Sequence, residues 1–175
     1  MFKLISFFTL FIISTSLFAD DSDKFIDSVS LTAGASIDSE SIYKLGIQKN
    51  FNTKLYSNDF GYLSGFYDLS ISYWDCKGNS VQALSLAPVF TYSFNSPIFN
   101  KTPYIYYGVG GAYISEKTTE QKDFSSHFQF ENRIGLGLKS NKYEIDIGYF
   151  HYSNGGIKEP NEGMNIVAIT YRHYI

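Results

Sequence analysis

The chain has 175 residues, with 14 Lys and Arg against 17 Asp and Glu, 44% hydrophobic residues, 18% aromatics and one Cys. That length sets a single domain as the expectation. The lone Cys excludes a disulfide-stapled fold, the small negative balance without a Lys/Arg cluster argues against nucleic acid as a partner, and after the first twenty residues no apolar run is long enough for a spanning helix.

The opening segment, Met1 to Asp20, carries one positive charge at Lys3, an apolar stretch from Leu4 to Phe18, and Ala19 before an acidic residue. This is the pattern of a signal peptide over residues 1–19, cleaved after Ala19. The competing reading is an uncleaved anchor helix, disfavoured by the shortness of the run and its interruption by Ser and Thr. All 15 Tyr and the single Trp lie beyond this segment, so the aromatic richness belongs to the folded part, residues 20–175.

Beyond the leader, alternation with period two recurs to the end of the chain, and no stretch shows helical spacing. In Phe25 to Ile37 one parity carries Phe25, Val29, Leu31, Ala33, Ala35 and Ile37, and the other Ser28, Ser30, Thr32, Gly34 and Ser36. Similar segments follow at about Ser41–Phe51, Phe60–Trp74, Val81–Phe94, Thr102–Ser115, Ser126–Lys139, Lys142–Ser153 and Gly163–Ile175, which predicts eight strands. Turn chemistry separates them at Asp38-Ser39-Glu40, Asp75 to Asn79, Asn95-Ser96-Pro97 and Ser140-Asn141, with a longer polar run from Glu116 to Phe124.

The polar parity is rich in Gly, Ser and acidic residues, which suits a barrel turned inside out, with an apolar outer band and a polar interior. Spread over eight strands, the folded part allows about twenty residues for each strand and its connection, the scale of a minimal membrane barrel. The expected fold is all-β, an eight-stranded antiparallel transmembrane β-barrel of the outer membrane. A secreted lipocalin-like barrel or sandwich shares the alternation, but would leave many Tyr and Phe exposed to water.

In the seventh segment Tyr143, Ile145, Ile147 and Tyr149 share the apolar parity, and continuing it places His151 and Ser153 on the same outer face, about 7 Å apart between Cα atoms. Imidazole against hydroxyl is what activates a serine nucleophile. The outer parity of the eighth segment, Val167, Ile169 and Tyr171, includes Asn165, beside His151 and Ser153 if the two strands pair as a hairpin. From an N-terminus in the periplasm, odd strands run outward. That sets His151 and Ser153 at the level of the outer leaflet, where a lipid-facing nucleophile meets lipopolysaccharide.

The run Phe150-His151-Tyr152-Ser153-Asn154-Gly155-Gly156-Ile157, followed by Glu159-Pro160-Asn161-Glu162-Gly163 and a closing strand, resembles the signature of the lipid A 3-O-deacylases, the PagL family of eight-stranded outer-membrane barrels. The resemblance implies a serine esterase that removes the 3-hydroxyacyl chain at the 3-position of lipid A, with no cofactor and no metal. Carried onto this chain, it makes Ser153 the nucleophile and His151 the general base, with the Asn154 side chain and the Gly156 N–H stabilising the oxyanion. Where the family's type sequence has a Glu, this chain has Asn165. A neutral Asn can orient the imidazole, as in Cys-His-Asn proteases, and the outer-membrane phospholipase A family, with a similar His-x-Ser-Asn-Gly motif, also uses one. Glu159 and Glu162 are alternative third members. The partners implied are lipopolysaccharide and the outer membrane, with a homodimer left open.

Other residues read as structural. Glu131, Arg133, Glu144 and Asp146 share interior parity and suggest an ion-pair network that fills a narrow barrel. His127 has interior parity, His173 lies at the periplasmic end, Cys76 is an idle loop thiol, and Tyr104, Tyr106, Tyr107 and Tyr113 suit interface anchoring. Two rival functions stay open: a non-catalytic barrel of the adhesin or envelope-stability kind with a vestigial site, and a calcium-requiring phospholipase, for which no acidic cluster is evident.

Overall fold

The structure, a computed structural model, describes residues 24–175. The expected leader, residues 1–19, lies outside the described residues. Nine strands run in chain order: β1 (Ser28–Ser36), β2 (Ser41–Asn50), β3 (Tyr56–Asn58), β4 (Gly61–Asp75), β5 (Ser80–Phe94), β6 (Thr102–Ile114), β7 (Phe128–Lys139), β8 (Tyr143–Ser153) and β9 (Met164–Tyr174). Every pairing between them is antiparallel, and β1 pairs with β9 from Ser28 opposite Tyr174 to Ser36 opposite Ile166, which closes the sheet into a barrel.

The three-residue β3 is an addition to the eight segments legible in the sequence. It pairs only with β4, on the edge that β2 occupies further along, so β2 and β3 act as one interrupted barrel strand broken at residues 51–55. The barrel is therefore eight-stranded.

The two parities separate as expected of an inside-out sheet. Leu69, Ile71, Leu84, Leu86, Ile134, Leu136, Ile145, Ile147, Val167 and Ile169 all face outward and are exposed. A continuous apolar exterior of this extent belongs in lipid, and strands of 9 to 15 residues are long enough to cross it. Both ends of the described chain lie at one end of the barrel. Longer connections, including residues 115–127 and 154–163, crown the other, which is the external end by the rule that periplasmic turns are short.

Two materials fill the lumen. Mid-barrel, Lys44 donates to Glu131 at 2.8 and 3.0 Å, Arg133 donates to Asp68 at 2.8 Å, Gln48 donates to Asp68 at 2.7 Å, and the Tyr152 hydroxyl donates to Glu131 at 2.7 Å. Two cations thus face two carboxylates, which is how buried charge is tolerated. The expected network needs correcting in one respect: Glu144 pairs with Arg172, and Asp146 accepts hydrogen bonds from Tyr104 and Tyr106 at 3.1 and 2.9 Å, rather than either joining Arg133. Towards the external end the lumen turns apolar. Trp74, Ile114, Phe124, Tyr152 and Met164 are fully buried there, with the Trp74 ring 4.9 Å from Tyr152 and 6.0 Å from Phe124. The remaining central void is about 30 Å³, too small for an acyl chain.

Tyr104 and Tyr106 are also corrected. Both are buried in the lumen rather than set at the interface, because they share parity with Gly108 and Ala112, while Tyr107 and Tyr113 point outward. The Tyr106 ring fits because Gly135 stands across from it: a Cβ there would lie 2.6 Å from Tyr106 Cε1. His127 departs from the expected interior position as well. It precedes β7, stacks on the exposed Tyr113 ring at 5.3 Å, and its Nδ1 lies 2.7 Å from the Ile114 carbonyl oxygen.

Candidate active site

The site grows from the alternation of β8. Phe150 and Tyr152 are buried inside, while Tyr149, His151 and Ser153 take the outer face at the strand's external end. Pairing with β9 puts Asn165 directly opposite His151, and pairing with β7 puts Phe130 opposite Ser153 and Asn132 opposite His151. A row of polar groups thus crosses three strands at one level of an otherwise apolar surface.

His151 Nδ1 lies 2.7 Å from Asn165 Oδ1. An amide oxygen only accepts, so in this arrangement Nδ1 carries the hydrogen and Nε2 keeps its lone pair. That is the tautomer a general base needs. A second donor reaches the same oxygen: the Tyr149 hydroxyl donates to Asn165 Oδ1 at 2.7 Å.

Gly163 borders both candidate catalytic side chains. A Cβ built on it would stand 3.4 Å from His151 Cε1 and 3.6 Å from Ser153 Cβ, so the imidazole edge and the serine Cβ are separated by at most about 7 Å. No hydrogen bond joins His151 to Ser153 among the described residues. Rotation of the two short side chains towards each other is what proton transfer requires.

After Ser153 the chain turns through Asn154-Gly155-Gly156, with φ of +68° and +77° at the two glycines, a left-handed pair that side chains rarely tolerate. Asn154 is fully buried and holds this turn. Its Nδ2 donates to the carbonyl oxygens of Phe124 at 2.9 Å and Lys158 at 2.7 Å, and its Oδ1 accepts from the Gly156 N–H at 2.9 Å. Both groups expected to stabilise an oxyanion are therefore engaged with each other or with loop carbonyls. The Asn154 side chain points into the barrel end because it follows an outward residue on a strand of period two.

The alternative acids stand elsewhere. Glu162 accepts from the Asp123 N–H, tying residues 154–163 to the neighbouring loop, and Glu159 is exposed. Asn165 is the group that meets His151. Three site residues escape sequence reasoning. Tyr149 reads only as one of the apolar parity of its strand and Gly163 as the start of the closing strand. Asn132 does leave a signal, being a polar residue in the apolar parity of Phe128, Phe130, Ile134 and Leu136.

Comparisons with known proteins point to one family. The family described as Lipid A 3-O-deacylase (PagL) matches residues 41–174. The chain is 33% identical over 147 residues to the lipid A deacylase PagL of Pseudomonas aeruginosa, covering 82% of this chain and 84% of that one. With the lipid A deacylase PagL of Bordetella bronchiseptica it shares 36% over 134 residues, covering 71% and 72%. The crystal structure of the outer membrane enzyme PagL superposes with a TM-score of 0.80 at 32% identity, over 85% of this chain and 99% of that one. With the matched span, the identity to these relatives and the shared barrel, this chain belongs to the lipid A 3-O-deacylase (PagL) family.

Proposed function

We infer that this chain is a lipid A 3-O-deacylase of the outer membrane, a serine esterase that hydrolyses the ester-linked 3-hydroxyacyl chain at the 3-position of lipid A. The observation that carries the catalytic assignment is the His151–Asn165 bond on the lipid-facing surface, at the external end, on the strand that presents Ser153.

Ser153 Oγ attacks the ester carbonyl while His151 Nε2 takes its proton, and the imidazolium that forms is held through Nδ1–H by Asn165. The imidazolium then protonates the departing sugar hydroxyl, and an acyl-enzyme remains on Ser153. Water, deprotonated by the same nitrogen, releases the fatty acid and restores the serine. Asn154 we assign to the architecture of the turn. The Gly156 N–H serves the oxyanion by exchanging its bond to Asn154 Oδ1. Asn165 stabilises the imidazolium through a neutral acceptor, which is weaker than a carboxylate.

The test is mass spectrometry of lipid A from a Gram-negative host that expresses the chain, its Ser153→Ala variant and its Asn165→Glu variant. Loss of one 3-hydroxyacyl chain with the parent and not with Ser153→Ala is the expected result. Unchanged lipid A with correctly inserted protein would favour the non-catalytic barrel. Removal of residues 1–19 is read from the mature N-terminus, and self-association as a homodimer from the mass of the purified protein in detergent.

A further inference from the structure

The third member of this site is an amide, and an amide has two faces. If Asn165 presents Oδ1, His151 holds its hydrogen on Nδ1 and Nε2 is the base. If it presents Nδ2, the amide donates to Nδ1, the hydrogen moves to Nε2, and the imidazole can no longer take a proton from Ser153. A carboxylate at this position has no such ambiguity, because both of its oxygens accept.

A second side chain reaches the Asn165 amide. Tyr149, two residues before His151 on the same outer face of β8, directs its hydroxyl to Asn165 Oδ1 at 2.7 Å, the oxygen that meets His151 Nδ1 at 2.7 Å. The two donors occupy the two lone pairs of one oxygen. A phenol hydroxyl is a better donor than acceptor, so the amide is favoured with its oxygen, not its nitrogen, towards both partners. The ring lies half-exposed on the lipid side.

We propose that Tyr149 is a positioning residue that locks the Asn165 amide with its oxygen towards His151 and thereby selects the Nδ1–H tautomer of the general base. This rests on the reading of His151 and Ser153 as base and nucleophile. Tyr149 acts through Asn165, the side chain its hydroxyl meets.

The direct test is the tautomer itself. Barrel labelled with 15N-histidine and folded in detergent contains three His, and His151 is assigned by the signals lost in His151→Gln. The parent is expected to show His151 with hydrogen on Nδ1, and Tyr149→Phe to show a shift towards the Nε2–H form. A pure Nδ1–H signal in Tyr149→Phe would overturn the proposal, whatever the activity.

The kinetic test is a cycle. Tyr149→Phe is expected to lower kcat about threefold to tenfold with KM unchanged in the parent, and by less than about twofold in the Asn165→Glu background, where the carboxylate needs no locking. Equal losses in the two backgrounds, or none in the parent, would overturn it. Ser153→Ala serves as the control: activity that survives in that variant defeats the catalytic reading, whereas the tautomer measurement is unaffected by that outcome.

Discussion

Asn154 Nδ2 donates to the carbonyl oxygen of Phe124, thirty residues earlier in the chain, at 2.9 Å, and so fastens the turn after Ser153 to the loop that plugs the external end. Since Phe124 and Asn154 are both fully buried, the bond has no water to replace it. Asn154→Ala leaves the Lys158 carbonyl and the Gly156 N–H without their partner, while the Phe124 carbonyl keeps the Ser126 N–H at 2.7 Å but loses its tie to the turn. Unfolding in detergent should show a loss of about 1–3 kcal/mol. Esterase activity should fall further than stability does, because the turn that follows Ser153 loses its anchor.

Gly163 separates shape from stability in the opposite way. Its φ is +64°, and an added Cβ would lie 2.8 Å from the Tyr152 carbonyl oxygen as well as against His151 and Ser153. Gly163→Ala should cost about 1–2 kcal/mol from backbone conformation and reduce kcat/KM by at least tenfold through crowding between imidazole and hydroxyl. Wild-type turnover in a folded Gly163→Ala barrel would show that this gap is not used.

The mid-barrel charges should matter to stability alone. Glu131 accepts from Lys44 and Tyr152 and lies 3.3 Å from Arg133 Nε. Glu131→Leu leaves two cations facing one carboxylate, Asp68, and removal of one partner from a buried pair typically costs about 3–5 kcal/mol. Denaturant titration should show that loss, while the folded fraction retains esterase activity, since none of these groups reaches the outer face.

Cys76 should be inert. It is buried beside Glu40 at the external end, and burial, with the Glu40 charge adding to it, pushes its thiol up to about 12. The thiolate is the reactive form. At pH 8 the folded barrel should resist a maleimide that labels the unfolded chain within minutes, as mass spectrometry would show. Rapid labelling of the folded protein would place this loop open to solvent.

The strands were legible because lipid and lumen impose opposite demands on alternate residues, and Phe25 to Ile37 displays both in one segment. His151, Ser153 and Asn165 were legible as outward neighbours for the same reason: parity and hairpin pairing suffice to place them. Parity alone misled where aromatic residues are ambiguous. Tyr104 and Tyr106 read as girdle residues until the hydroxyl needs of Asp146 and the space over Gly135 bring them inside. The interruption at residues 51–55 and the inward role of Asn154 depend on three-dimensional hydrogen bonding that no periodicity records. Lys44, Asp68 and Arg172 sit on three different strands, so their places in the charge network emerge only once the sheet has closed.

The pairing of β9 with β8 and β1 has a temporal meaning. His151 and Ser153 come together on a single strand, but Asn165 arrives on the last one, the strand whose union with β1 completes the ring. An assembly intermediate with the β1–β9 seam still open already holds the hydroxyl, the imidazole and the Asn165 amide, because all three lie on the β8–β9 hairpin. Ester cleavage therefore reports on the hairpin that ends the chain, and the closing of the ring adds stability without adding a group to the site.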